Sequence, residues 1–225
     1  MNLLGLDVLR ELITWTPFLL TGFSLNILIA SLAMVIGTGL GWGLALLRLS
    51  SRPRRVKLSL LLTEFTRNVP TIVFQFYLVF MLPSEFVLPG TSITLGFPSW
   101  LNASLALAMA VIGFTSDNLT ATLRDWRKGD HAAALLFLPN WTSYMLIIVI
   151  ASSTASIIGV SELVSRCNTV INATGNTGLM LPVYLYACVC FFLFCYPLTR
   201  LMQWTRAYLA ARLGPASHRL GKASR

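Results

Sequence analysis

The feature that most restricts this chain is a set of apolar runs, each near the ~20 residues a helix needs to cross the hydrocarbon core of a bilayer. They fall at about 17–47, 58–83, 100–123, 132–158 and 179–198 of the 225 residues. Only 11% of the residues are charged and 56% are hydrophobic, whereas soluble domains carry about 25% charged residues. No polar block is long enough for a separate soluble domain. The expected fold class is an all-α polytopic membrane protein with about five transmembrane helices.

A net charge of +9 could suggest a nucleic-acid partner, but the cations sit in the wrong places. Arg48, Arg52, Arg54, Arg55 and Lys57 form one cluster, and Arg124, Arg127 and Lys128 form a second. Arg200, Arg206, Arg212, Arg219, Lys222 and Arg225 follow the last apolar run. All flank membrane segments, which is the positive-inside pattern of cytoplasmic loops. The partner this charge implies is membrane lipid, and no nucleic acid is expected. Segment 84–99 has no Lys or Arg and segment 159–178 has one Arg, so both are expected outside. The amino terminus is then outside and the carboxyl terminus cytoplasmic. Residues 1–16 read as an amphipathic segment, with Leu4, Val8, Leu12 and Ile13 on one face and Asp7, Arg10 and Glu11 elsewhere. The expected division is this segment, a transmembrane domain over 17–210 and a basic cytoplasmic tail over 211–225. Acids and no basic n-region open the chain, so no cleavable signal peptide is expected.

Soluble catalytic chemistry is not legible. His131 and His218 have no second ligand at metal spacing, and Cys167, Cys188, Cys190 and Cys195 give no zinc pattern. No metal, cofactor or catalytic residue is expected, and the chain reads as a non-enzyme. Gly37, Gly39, Gly41 and Gly43 form two overlaid small-xxx-small pairs in a membrane helix. No Lys-Ser/Thr follows them, so they are not a phosphate loop. The second run, LTEFTRNVPTIVFQF, places Glu64, Arg67, Asn68 and Gln75 around Pro70. Polar groups inside a membrane are costly and face other helices or a pathway. Glu64 and Arg67 can equally be a local i,i+3 pair. In the third run FTSDNLTAT supplies one acid, Asp117.

These stretches together resemble the permease subunits of type I ATP-binding-cassette importers for polar amino acids. TEFTRNVPTIVFQF is similar to that family's E-x-F-R-N-T-P-x-x-x-Q helix, with Glu64, Arg67, Asn68 and Pro70 on the marked positions and Gln75 one residue late. SSTASIIGVSEL resembles its T-S-L-A-S-V-I-G-V-x-E-L segment, with Glu162 at the acid. FTSDNLTATLRDWRKGD resembles the end of its third helix, with Asp117 at a usual glutamate. The resemblance implies a dimer of permeases, often two different chains, in a bacterial inner membrane. It also implies cytoplasmic ATP-binding subunits, an external solute-binding protein and an amino-acid substrate. The pathway-lining residues it implies are Asn68, Thr71, Gln75, Ser152, Ser153 and Asp117.

Two departures from the family stand out. Its E-A-A-x-x-x-G segment forms a coupling helix that docks on the ATPase. Here Lys128-Gly129 and Ala132-Ala133 match, but His131 replaces the glutamate and Phe137 the glycine. Several helical turns between the alanines and Leu138-Pro139 are missing in that register, so the ATPase-facing loop is expected to be degenerate. The family's Lys-Asp before Thr-Ser is here Ile150-Ala151. A second permease chain carrying the main ATPase coupling is therefore expected. A non-transporting structural or regulatory subunit is the alternative.

Overall fold

The computed structural model describes residues 2–82, 85–87, 94–130 and 134–213. The elements run α1 (Asn2–Arg48), α2 (Pro53–Asn68), α3 (Thr71–Met81), β1 (Glu85–Val87), β2 (Thr94–Gly96), α4 (Ser99–Arg127) and α5 (Phe137–Ala151). A 3₁₀ segment (Ser152–Ile158), α6 (Leu163–Thr174), a short 3₁₀ turn (Thr177–Leu179) and α7 (Met180–Leu213) follow. Four stretches are helical, long and apolar enough to cross a membrane: 8–48, 99–127, 137–158 and 177–209.

α1 lies against α4, and the glycine stripe explains why only one of its two pairs matters. A Cβ on Gly37 would stand 2.4 Å from Val111 Cβ, and one on Gly41 2.7 Å from Thr115 Cβ. The backbones approach because these residues have no side chain. Gly39 and Gly43 meet nothing within 4 Å. The core built on this contact joins Ala30, Ala33 and Met34 of α1 to Ala103, Leu107 and Val111 of α4, closed by Ile148 and Val149 of α5. A second core seats α6 between α1 and α7, through Leu19, Leu163, Cys167, Val170 and Val183.

Three features depart from the expected spans, each for a local reason. α1 runs unbroken through Pro17 across the expected boundary at 16/17. The expected span 58–83 is two helices. Val69, extended at φ −89°, ψ 125°, precedes Pro70, and a residue before proline is driven out of the helical region. Pro70 then opens α3, where its missing N–H costs nothing. Finally, segment 159–178, expected as a polar loop, contains α6. Glu162 caps it by accepting from the Val164 and Ser165 amides at 3.0 and 2.9 Å. The tail beyond Leu213 lies outside the described residues.

The 3₁₀ segment also has a sequence cause. The hydroxyls of Ser152, Ser153, Thr154 and Ser156 each donate to the carbonyl three residues earlier, at 2.7–2.9 Å. Such back-bonding competes with the α-helical ladder and favours a tighter turn.

A candidate substrate cleft at the break between α2 and α3

α4 spans residues 99–127, so Gly113 is its midpoint, and the α2–α3 break lies against it. A Cβ on Gly113 would stand 2.5 Å from Arg67 Cγ and 2.9 Å from Thr66 Oγ1, so glycine lets α2 close on α4. Below that point hydroxyls tie the helices. Thr63 and Ser116 share a 2.8 Å hydrogen bond, and Ser59 Oγ donates to the Leu44 carbonyl at 2.7 Å.

A cleft of about 500 Å³ opens at this level. Arg67, Val69, Pro70 and Thr71 line it from the break, Ala110, Phe114, Asp117 and Asn118 from α4, and Tyr144 from α5. Ala110, Phe114 and Asp117 share one face because they recur at helical spacing. The Phe114 and Tyr144 rings stack at 3.9 Å between centroids, and the Tyr144 hydroxyl donates to the Ala110 carbonyl at 3.2 Å.

The charges in this cleft are unequal. Asp117 accepts from Arg48 Nη1 at 2.5 Å and from Arg67 Nη1. Two guanidiniums therefore share one carboxylate. The Arg48 side chain is 10% exposed, Asp117 30% and Arg67 60%. Arg48 is a buried anchor, with Nε and Nη2 lacking hydrogen-bond partners among the described residues. Arg67 is the open member.

The expected pathway residues divide. Thr71 and Asp117 line the cleft, and Asn68, exposed, is next to the lining residue Arg67. Gln75 is fully buried, and its amide donates to Thr154 Oγ1 at 2.9 Å. Ser152 is fully buried beside Asn26, at 2.9 Å. Ser153 donates to the Ile150 carbonyl at 2.8 Å. Gln75, Ser152 and Ser153 are thus engaged in hydrogen bonds outside the cleft. Glu64 is exposed, and Arg67 pairs with Asp117 rather than locally. The roles of Arg67, Asn118 and Tyr144 were not legible as a set. Asn26, an amide in the middle of an apolar run, was a signal that intramembrane polarity could have flagged.

In the expected ATPase-facing loop, Lys128 caps α4 and Gly129 takes φ +84°. His131, Ala132 and Ala133 lie outside the described residues. Residues 128–136 are all that separate α4 from α5. Outside the spanning stretches, burial pushes the Glu162 carboxyl above its ordinary range, opposed by hydrogen bonds from Asn26 and from the Val164 and Ser165 amides.

The described helices form a largely apolar bundle in which the α2–α3 break lies beside the midpoint of α4. The chain is 28% identical over 205 residues to the inner membrane amino-acid ABC transporter permease protein YhdY of Escherichia coli (strain K12). That match covers 81% of this chain and 54% of the relative, so the chain spans about half the length of that curated protein. The fold is similar to the crystal structure of an amino acid ABC transporter with histidines, at TM-score 0.73 and 16% identity. The superposition covers 88% of this chain and 97% of that one. No protein-family model matches. The fold is similar to that of an amino acid ABC transporter, and the resemblance read from the sequence motifs points the same way as both comparisons.

Proposed function

We propose that the chain is a transmembrane permease subunit of an ATP-binding-cassette importer for polar amino acids, set in a bacterial inner membrane. The observation that carries this reading is the agreement of fold over 88% of the chain with an amino acid ABC transporter. ATP hydrolysis belongs to separate cytoplasmic subunits, and substrate arrives from an external solute-binding protein. The cleft lined by Arg67, Thr71 and Asp117 is this subunit's half of the pathway, and Asn68 stands at its edge. Rigid-body rocking of two permease halves alternates access to such midplane sites.

The second permease half is a different chain in this reading. The short connection 128–136 supports that pairing, because it leaves no length for a full docking helix, so the partner carries the main coupling to the ATPase. The same short connection favours a second reading, a structural or regulatory subunit that does not itself transport. Uptake of labelled amino acids by cells with and without the chain separates them. Loss of uptake without the chain, restored by its return but not by a cleft-filling Thr71→Phe copy of equal abundance and unchanged unfolding midpoint, supports the permease reading. Uptake that is equal without the chain overturns it.

A further inference from the structure

The cleft holds an imbalance that the fold itself does not resolve. Arg48 and Arg67 bring two positive charges to the single carboxylate of Asp117. In a partly enclosed cleft a surplus charge favours a counter-ion. Arg48 is closed off, but Arg67 opens onto the cleft, and of its donors only Nη1 is committed among the described hydrogen bonds. A guanidinium is a planar fork suited to grip a carboxylate through two parallel hydrogen bonds.

We propose that Arg67 is the carboxylate-recognising residue of the cleft, and that the ligand's α-carboxylate competes with Asp117 for its guanidinium. Asp117 can release Arg67 because Arg48 still neutralises it. The fixed and the movable cation are thus distinguished by burial. Thr71 stands beside the same position at the start of α3, where Pro70 provides no side-chain cap. The Val73 N–H is taken by the Pro70 carbonyl at 3.0 Å, whereas Thr71 and Ile72 open the helix, whose N-terminal end adds a favourable field for an anion. The stacked Phe114 and Tyr144 rings form an apolar wall for the rest of the ligand.

This inference rests on the permease reading, and its test separates the two. Cell uptake, as above, tests the permease reading. For the carboxylate, the assembled membrane complex is purified without its solute-binding protein, whose own selectivity would mask the cleft. A mixture of labelled L-amino acids is bound and displaced by unlabelled amino acids or by their α-carboxamides, which lack the carboxylate. Amino acids should displace about 10- to 100-fold better than amides, the worth of a hydrogen-bonded charge. Arg67→Gln should bring that ratio close to one, and Arg67→Lys, which keeps the charge but not the fork, should give an intermediate ratio. A structural defect would weaken both competitors alike and leave the ratio unchanged. If uptake is normal and either variant keeps the wild-type ratio, Arg67 does not read the carboxylate and the permease reading stands. If the wild-type complex shows no preference for acids over amides, the proposal is also overturned.

Discussion

Asn26 on α1 and Glu162 at the head of α6 are joined by a 2.9 Å hydrogen bond across 136 residues of sequence. Both side chains are fully buried. The same Asn26 amide donates to Ser152 Oγ at 2.9 Å, and its oxygen accepts the Leu163 N–H at 3.1 Å. One side chain therefore fastens α1 to the 3₁₀ segment and to α6. Asn26→Leu strands a buried carboxyl and a buried amide, and should cost about 2–4 kcal/mol. Thermal unfolding of the purified chain in detergent reads this loss, and an unchanged midpoint would remove the network's structural role.

Glu162 should make stability fall as pH rises. Its carboxyl titrates above the ordinary range in the folded chain because burial disfavours the charge. Between the two values the folded chain holds a proton that the unfolded chain gives up, so raising pH through that window favours unfolding. Glu162→Gln should flatten this dependence, measured as unfolding midpoint against pH.

The glycine stripe should respond by face. Gly37→Val drives its side chain into Val111 and should destabilise by about 1–3 kcal/mol. Gly39→Ala meets open space and should stay within about 0.5 kcal/mol. Equal unfolding midpoints for the two variants would contradict the α1–α4 contact described above.

Around Asp117 the order of costs follows burial. Asp117→Asn leaves the nine-tenths-buried Arg48 without its anion and should cost about 3–5 kcal/mol. Arg67→Met removes an open partner and should cost no more than about 1 kcal/mol. Comparing the two variants by thermal unfolding decides whether Arg48 is the anchor.

Cys167 should resist alkylation in the folded chain. It is fully buried, and burial, with Glu162 next in effect, pushes its thiol up to about 12. N-ethylmaleimide at mildly alkaline pH should modify it only after denaturation, read by mass spectrometry of the peptide that contains it.

The membrane class, the approximate spans and the permease resemblance were legible because they depend on composition, length and local motif. The α2–α3 break was not among the expectations, although Pro70 carries a local signal for it, since its covalent ring acts on its neighbour wherever it stands. Of the expected pathway residues, Thr71 and Asp117 line the cleft, whereas Gln75 and Ser152 turn inward to Thr154 and Asn26. Nothing local separates these cases, because a polar side chain in an apolar run is satisfied equally well by a ligand or by another helix.

By itself, then, the sequence determined that this chain is a helical membrane protein, roughly where its apolar spans lie, and that several polar groups within them need partners. Only the tertiary structure decided who those partners are. It gave Asp117 to two arginines from α1 and α2, Asn26 to Glu162, and Gly37 and Gly41, but not Gly39 and Gly43, to α4. The physical reason is that hydropathy and backbone preference act within a turn or two of chain. Charge pairing, hydrogen bonding and close packing act through space, between residues that the chain itself keeps far apart.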